Sequence, residues 1–115
     1  MIAVRPRPDD IIVILCALYN KCRRRGRGVT KCHRPYEEIL KASGIPGDRF
    51  RVALNAMTGK KAAKILNKKL EAKGLTIPEE PLIWMKRHGG GSFSYGLTKL
   101  GAILAHALCG QTGAL

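Results

Sequence analysis

The hydrophobic positions of this chain recur with a helical period over most of its length and with an extended period near its carboxyl end. Apolar residues return every three or four positions in residues 9–24, 36–43, 49–57, 60–73 and 99–108, which predicts five helices. Residues 82–97 have the β-branched, aromatic and alternating composition of a two-stranded hairpin with a basic, glycine-rich tip. The pattern predicts a mostly α protein with a small β hairpin, which is an α+β fold.

Residues 60–73 predict an amphipathic helix whose exposed face is cationic. Its apolar stripe consists of Ala62, Ile65, Leu66 and Leu70, and its polar side carries Lys61, Lys64 and Lys68. Thr58 can cap its start, and Gly74 can end it in a left-handed conformation, with Leu75 folding back as the hydrophobic contact. A solvated helix face usually mixes charges of both signs. Here six lysines accompany a single acid, Glu71, which indicates an anionic partner.

The charge of the whole chain strengthens this expectation. Among 115 residues, 21 are Lys or Arg and 8 are Asp or Glu, so the net charge is +13. Such a balance favours polyanions, with nucleic acid ahead of a membrane surface. Apolar residues make up 45% of the chain, which is typical of a globular domain and not of a disordered basic tail.

The chain length predicts one domain, at residues 9–109, between two short terminal segments. Residues 1–8 form a basic arm that carries Arg5 and Arg7, and residues 110–115 form a frayed tail. No run of about 18 apolar residues is present, so no membrane span is expected. Asp9 and Asp10 precede the first apolar run and no small-residue cleavage site follows it, which disfavours a signal peptide. We expect an intracellular protein, either nucleoid-associated or cytoplasmic.

The four cysteines leave two alternatives open. Cys16 and Cys109 have the surroundings of small core residues, whereas Cys22 and Cys32 flank an arginine-rich loop and a disulfide between them is possible. An alternative set of metal ligands is Cys22, Cys32 and His33, with Cys109 or His106 as a fourth, but this set lacks the paired knuckles of strong zinc sites. We expect no metal and no other cofactor.

The order of the predicted elements resembles the winged helix-turn-helix superfamily of DNA-binding domains. Residues 62–75, Ala-Ala-Lys-Ile-Leu-Asn-Lys-Lys-Leu-Glu-Ala-Lys-Gly-Leu, are similar to the end of a recognition helix that runs into a Lys-Gly-Leu turn. Residues 95–101, Tyr-Gly-Leu-Thr-Lys-Leu-Gly, are similar to the Tyr-x-Leu-Thr-x-x-Gly segment that closes the wing. The resemblance spans residues 9–108. Residues 44–74 are longer than the usual helix-turn-helix, and we favour residues 49–57 over 36–43 as the supporting helix.

The resemblance implies double-stranded DNA as the partner, with the helix at 60–73 in the major groove and residues 82–97 as the wing. A helix with a cationic exposed face fits that groove, which is about 12 Å wide. Lysine contacts phosphate as a point charge, so low sequence specificity is expected. A transcriptional regulator is the other possibility within this class. The predicted binding residues are Lys60, Lys61, Lys64, Asn67, Lys68, Arg49, Arg51, Arg87, His88, Arg23, Arg24 and Arg25.

Two other function classes stay open at this point. Basic winged helices also bind RNA, so an RNA-binding or ribosome-associated protein is the main alternative. A protein-interaction module with incidental charge is the second, and the terminal helices could form a homodimer. Paired carboxylates and an activated nucleophile are absent from the sequence, so we do not expect an enzyme.

Overall fold

The described residues fold into five α-helices and a small sheet. The computed structural model describes residues 4–23 and 28–110, so the predicted binding residues Arg24 and Arg25 lie outside the described residues. In chain order the elements are α1 (Pro8–Arg23), β1 (His33–Pro35), α2 (Tyr36–Ser43), α3 (Gly47–Met57), α4 (Lys61–Leu70), β2 (Ile83–Arg87), β3 (Phe93–Leu97) and α5 (Lys99–Ala105). A π-helical turn, His106–Gly110, extends α5. The mostly helical α+β composition is confirmed.

The three strands form one antiparallel sheet in the order β1-β3-β2. β2 and β3 make the predicted hairpin, whose register places Ile83 opposite Leu97. The prediction of only two strands was wrong, because β1 pairs with β3 and places Arg34 opposite Tyr95. A three-residue strand is too short to show an alternating pattern. It tolerates Pro35, which has no N–H, because β1 is an edge strand.

The first helix is the centre of the core. It packs against α2, α3, α4 and α5. Its residues Ile11, Ile14, Leu15 and Leu18 have no exposed surface, and Phe50 and Met57 of α3 are equally buried. Complete burial of such a side chain stabilises the fold by about 1.5–3 kcal/mol. This core fixes the orientation of α3 and α4, and therefore decides which of their faces remain in solvent.

The ends of α4 differ in part from the prediction. Thr58 does not cap α4: it follows α3, and its hydroxyl donates to the Asn55 carbonyl of that helix over 2.9 Å. Gly74 adopts the predicted left-handed conformation, with φ of 73°. The Leu75 side chain does not fold back, because 55% of its surface is exposed, although its amide donates to the Leu70 carbonyl.

Two disulfides connect distant parts of the structure. Cys22 and Cys32 form the disulfide that the sequence analysis considered possible. Cys16 and Cys109 belong to the core or pack against it, as predicted, but they also form a second disulfide, between α1 and the carboxyl-terminal turn, that was not predicted. Their separation of 93 residues hides this pairing from the sequence. Because both sulfurs of the Cys22 and Cys32 pair are bonded to each other, the alternative metal site is contradicted.

Candidate nucleic-acid interface

The lysines of α4 lie on the side of the helix that points away from the core. Ala62, Ala63 and Leu66 are buried, and Ile65 packs against the core with part of its surface exposed. The exposed lysines of this surface, which we call the lysine face, are Lys60, Lys61, Lys64, Lys68 and Lys69. The helix therefore presents a single cationic surface to solvent.

Two acids outside α4 pair with lysines of the lysine face. Lys69 Nζ lies 2.6 Å from an oxygen of Asp9, and hydrogen bonding to this lysine lowers the pKa of Asp9. Lys64 Nζ lies 3.7 Å from an oxygen of Glu79. Lys60, Lys61 and Lys68 form no ion pair with any described residue, so their charges are available to an external anion.

Asn67 differs from the lysines, because its side chain is engaged within the protein. Its Nδ2 donates to the Ile77 carbonyl over 2.9 Å, and its Oδ1 accepts from the Ile77 amide over 2.7 Å. These two bonds use the Nδ2 donor and the Oδ1 acceptor, which are the atoms that an asparagine uses to contact adenine. The Asn67 side chain therefore links α4 to Ile77.

The two predicted arginines of α3 occupy different environments. Arg49 donates to both carboxylate oxygens of the buried Asp10, with distances of 2.7 and 3.1 Å. This bidentate pair joins α3 to the start of α1, and hydrogen bonding to Asp10 raises the pKa of Arg49. Arg51 is exposed and forms no ion pair with the residues that the structure describes. Arg51 is thus the more accessible of the two.

The amino-terminal arm lies beside α3 and α4. Its residue Pro6 borders three open clefts, one towards the start of α3, one along α4 and one at the α3–α4 junction. The cleft along α4 is lined by Arg5, Lys61 and Lys68 among others. The arm was predicted as a separate segment, and nothing in the sequence indicated that it adjoins the lysine face. The fold brings these basic groups together.

The β2–β3 hairpin carries a second group of basic residues. Lys86 and Arg87 of β2 are exposed, and the tip of the hairpin is closed by a hydrogen bond of 2.8 Å from the His88 amide to the Ser92 carbonyl. The His88 ring is half-buried and its Nε2 lies 2.6 Å from Ser94 Oγ. Arg87 is therefore accessible as predicted, whereas the His88 ring is oriented by a contact inside the hairpin. Lys86 was not among the predicted binding residues, although its side chain is exposed next to Arg87.

The Trp84 side chain joins the sheet to Thr30. Its indole Nε1 donates to the carbonyls of Thr30 and Leu97, with distances of 3.1 and 3.0 Å. The ring covers Gly96, where a Cβ would lie only 2.4 Å from it. Thr30 is therefore fixed to the β2–β3 hairpin. Arg23, at the end of α1, is exposed next to the disulfide-bonded Cys22.

Glu38 of α2 pairs with two basic residues, one in α1 and one in β1. Glu38 accepts from the guanidinium of Arg34 and lies 3.3 Å from Lys21 Nζ. Hydrogen bonding to Arg34 lowers the pKa of Glu38, although burial opposes this effect. Arg34 and Lys21 are therefore held by an ion pair within the protein, whereas Lys61 and Lys68 of α4 form no ion pair with a described residue.

The remaining chemistry of the described residues is limited. They contain no group of three or more His, Cys, Asp or Glu side chains arranged to hold a metal ion. None of the helices between residues 4 and 110 is both long and apolar enough to cross a membrane.

Three comparisons with known proteins gave no match: no protein-family model, no curated protein and no solved structure is significantly similar to this chain.

Proposed function

We propose that this protein binds double-stranded DNA through the lysine face of α4, as a winged helix-turn-helix domain of low sequence specificity or a transcriptional regulator. The observation that carries the proposal is the set of three unpaired lysines, Lys60, Lys61 and Lys68, on the solvent side of a helix whose other side is in the core. A helix anchored in this way can enter a major groove without unfolding.

The topology supports the same proposal. A helix, a short edge strand, three successive helices, a hairpin and a final helix follow one another along the chain. We assign α3 and α4 as the helix-turn-helix, with residues 58–60 as the connection and α2 as the additional helix. The hairpin of β2 and β3 is the wing, and its exposed Lys86 and Arg87 would contact the backbone of the duplex.

The side chains of the lysine face support weak sequence preference. Lysine neutralises phosphate as a point charge and lacks the fork of arginine, which contacts guanine through two hydrogen bonds. Asn67, the amide closest to this face, is held by Ile77. Affinity would then come mainly from the release of counterions and fall steeply with added salt.

A charge-matched pair of variants tests the proposal. Lys61→Ala/Lys68→Ala removes two charges from the lysine face, and Lys41→Ala/Lys99→Ala removes two exposed charges from α2 and α5. Each replaced phosphate contact should reduce the slope of log affinity against log salt by about 0.9, so the first variant should lose about 1.8. The control variant should retain the wild-type slope on the same random-sequence duplex.

Two results would overturn the proposal. Equal losses in the two variants would mean that only the net charge matters and that α4 is not the interface. Tighter binding of wild-type protein to duplex RNA than to duplex DNA of the same length would favour the RNA-binding alternative, since A-form RNA offers no major groove that a helix can enter. Circular dichroism of both variants checks that the helices remain intact.

A further inference from the structure

We infer that Arg5 and Arg7 of the arm form a second DNA-contacting element that enters the minor groove beside the α4 interface and favours A·T-rich duplex. The inference rests on the proposed function, because it concerns the same partner. It goes further in naming the groove, the base composition and the residues responsible.

The position of the arm is the first step of the argument. Pro6 is half-buried and borders clefts shared with α3 and α4, whereas Arg5 and Arg7 on either side of it are exposed. The proline thus rests on the domain and the two arginines project from it. Neither arginine forms an ion pair with the residues described by the structure. Asp48 borders only the cleft towards the start of α3.

The base of the arm is fixed to both helices of the proposed helix-turn-helix. Directly after the arm, Asp9 pairs with Lys69 of α4 and Asp10 pairs with Arg49 of α3. The Arg7 carbonyl accepts the Ile11 amide over 3.1 Å and so begins α1. These contacts determine where the arm leaves the domain, and they place that point next to the lysine face.

The local sequence makes the arm extended before any ligand binds. Arg5 precedes Pro6 and Arg7 precedes Pro8, and a residue before proline is restricted to extended conformations. In a polyproline-type segment, residues two apart are separated by about 6 Å, since each residue rises about 3.1 Å. This is close to two base-pair steps of about 3.4 Å. An extended arm also loses less conformational entropy on binding than a flexible tail.

The chemistry of the arm differs from that of α4. The arm offers arginines and the lysine face offers lysines. A narrow minor groove, as in A·T-rich tracts, has an enhanced negative potential that attracts inserted arginine side chains. Arginine is also hydrated more weakly than lysine, so it enters a groove at a lower desolvation cost. The two elements would therefore contact two neighbouring grooves of one duplex.

The experiment compares two arm variants on two duplexes of equal length, one an A·T tract and one G·C-rich. Arg5→Ala/Arg7→Ala should lower the salt slope by about 1.8 and abolish the preference for the A·T tract. Arg5→Lys/Arg7→Lys should keep the slope but lose most of that preference, because it keeps the charge and removes the guanidinium. Lys41→Ala/Lys99→Ala serves as the charge-matched control and should retain both properties.

The outcomes separate this inference from the proposed function. If Arg5→Ala/Arg7→Ala binds both duplexes as wild-type protein does, while Lys61→Ala/Lys68→Ala loses affinity, the arm inference fails and the α4 interface stands. If Arg5→Lys/Arg7→Lys keeps the full A·T preference, the minor-groove assignment fails and the arm contacts only phosphate. If wild-type protein binds neither duplex, both proposals fail.

Discussion

The side-chain amide of Asn67 and the backbone of Ile77 form a reciprocal pair of hydrogen bonds, with distances of 2.9 and 2.7 Å. This pair connects the half-buried Asn67 of α4 to the segment that leads to β2. It acts as a substitute for a strand pairing in a segment where Pro78 and Pro81 prevent a regular strand.

Replacement of Asn67 by Ala should therefore destabilise the fold. The loss of two hydrogen bonds corresponds to a decrease of about 2 kcal/mol in the free energy of unfolding, measured by urea denaturation. On the proposed function, the salt slope of DNA binding should stay at the wild-type value, because the side-chain amide carries no charge that could neutralise a phosphate. Asn55→Ala is the control, since the exposed Asn55 side chain forms no hydrogen bond with the described residues. An unchanged stability with altered base preference would instead show that Asn67 reads DNA.

Gly101 is required because α5 approaches the backbone of Leu82 closely. A Cβ at Gly101 would lie 1.9 Å from the Leu82 carbonyl oxygen, which also accepts the Thr98 amide at the start of α5. Gly101→Ala should therefore displace α5 and lower the free energy of unfolding by about 3 kcal/mol, the upper end of the usual cost of overpacking. Chemical denaturation measures this change.

A second helical glycine provides the control. A Cβ at Gly47, the first residue of α3, would meet nothing within 4 Å. Gly47→Ala should leave the protein as stable as wild type or stabilise it by about 0.4–1 kcal/mol. Equal effects of the two substitutions would refute the close packing of α5 on Leu82.

The two disulfides should contribute unequally to stability. Cys16 and Cys109 are separated by 93 residues in the chain, whereas Cys22 and Cys32 are separated by 10. On the chain-entropy account the long loop contributes about 4.7 kcal/mol and the short one about 2.8 kcal/mol. Cys16→Ser/Cys109→Ser should therefore be less stable in urea than Cys22→Ser/Cys32→Ser.

A reducing agent supplies the check on that comparison. It should destabilise wild-type protein strongly and have no effect on a variant in which all four cysteines are replaced. Stability of the wild-type protein that is indifferent to reduction would mean that the bridges do not form in solution.

His33 should make the fold less stable in mild acid. Its ring contacts Trp84 and His88, and its Nδ1 is buried without a hydrogen-bond partner among the described residues. Burial, together with the nearby charges of Lys86, His88 and Arg34, lowers the pKa of His33 below its ordinary value of 6.5. The folded state then binds fewer protons than the unfolded state below that pH. The free energy of unfolding therefore has its full value above pH 6.5 and decreases as the pH falls towards the pKa of His33 in the folded state.

The measurement is urea unfolding of wild-type protein and of His33→Gln from about pH 7.5 to about pH 5, where glutamine does not titrate. The variant should show a smaller decrease across this range. Parallel curves would exclude His33 as a source of the acid sensitivity. The pairing of Glu38 with Arg34 also makes the fold less stable as the pH falls. This loss occurs at lower pH, because it begins only below the ordinary Glu pKa of 4.5.

Local patterns were sufficient for the positions of most elements. The helical spacing of Ile11, Leu15 and Leu18 and the cationic face of α4 are properties of short segments, and the structure confirms the helices they predicted. Gly74 ends the α4 segment in the predicted left-handed conformation, because a residue without a Cβ adopts it at low cost. Strand β1 was missed because three residues carry no periodic signal.

The sequence by itself determined the secondary structure of the long elements and the excess of positive charge, since both depend on residue type and short-range spacing. Only the tertiary structure decided which charges are available, because pairing depends on contacts between residues far apart in the chain. Asp9 neutralises Lys69 and Asp10 engages Arg49, while Lys61 and Lys68 stay unpaired. The tertiary structure also places Cys16 next to Cys109 and the arm next to the lysine face. Both contacts depend on how distant segments pack around α1.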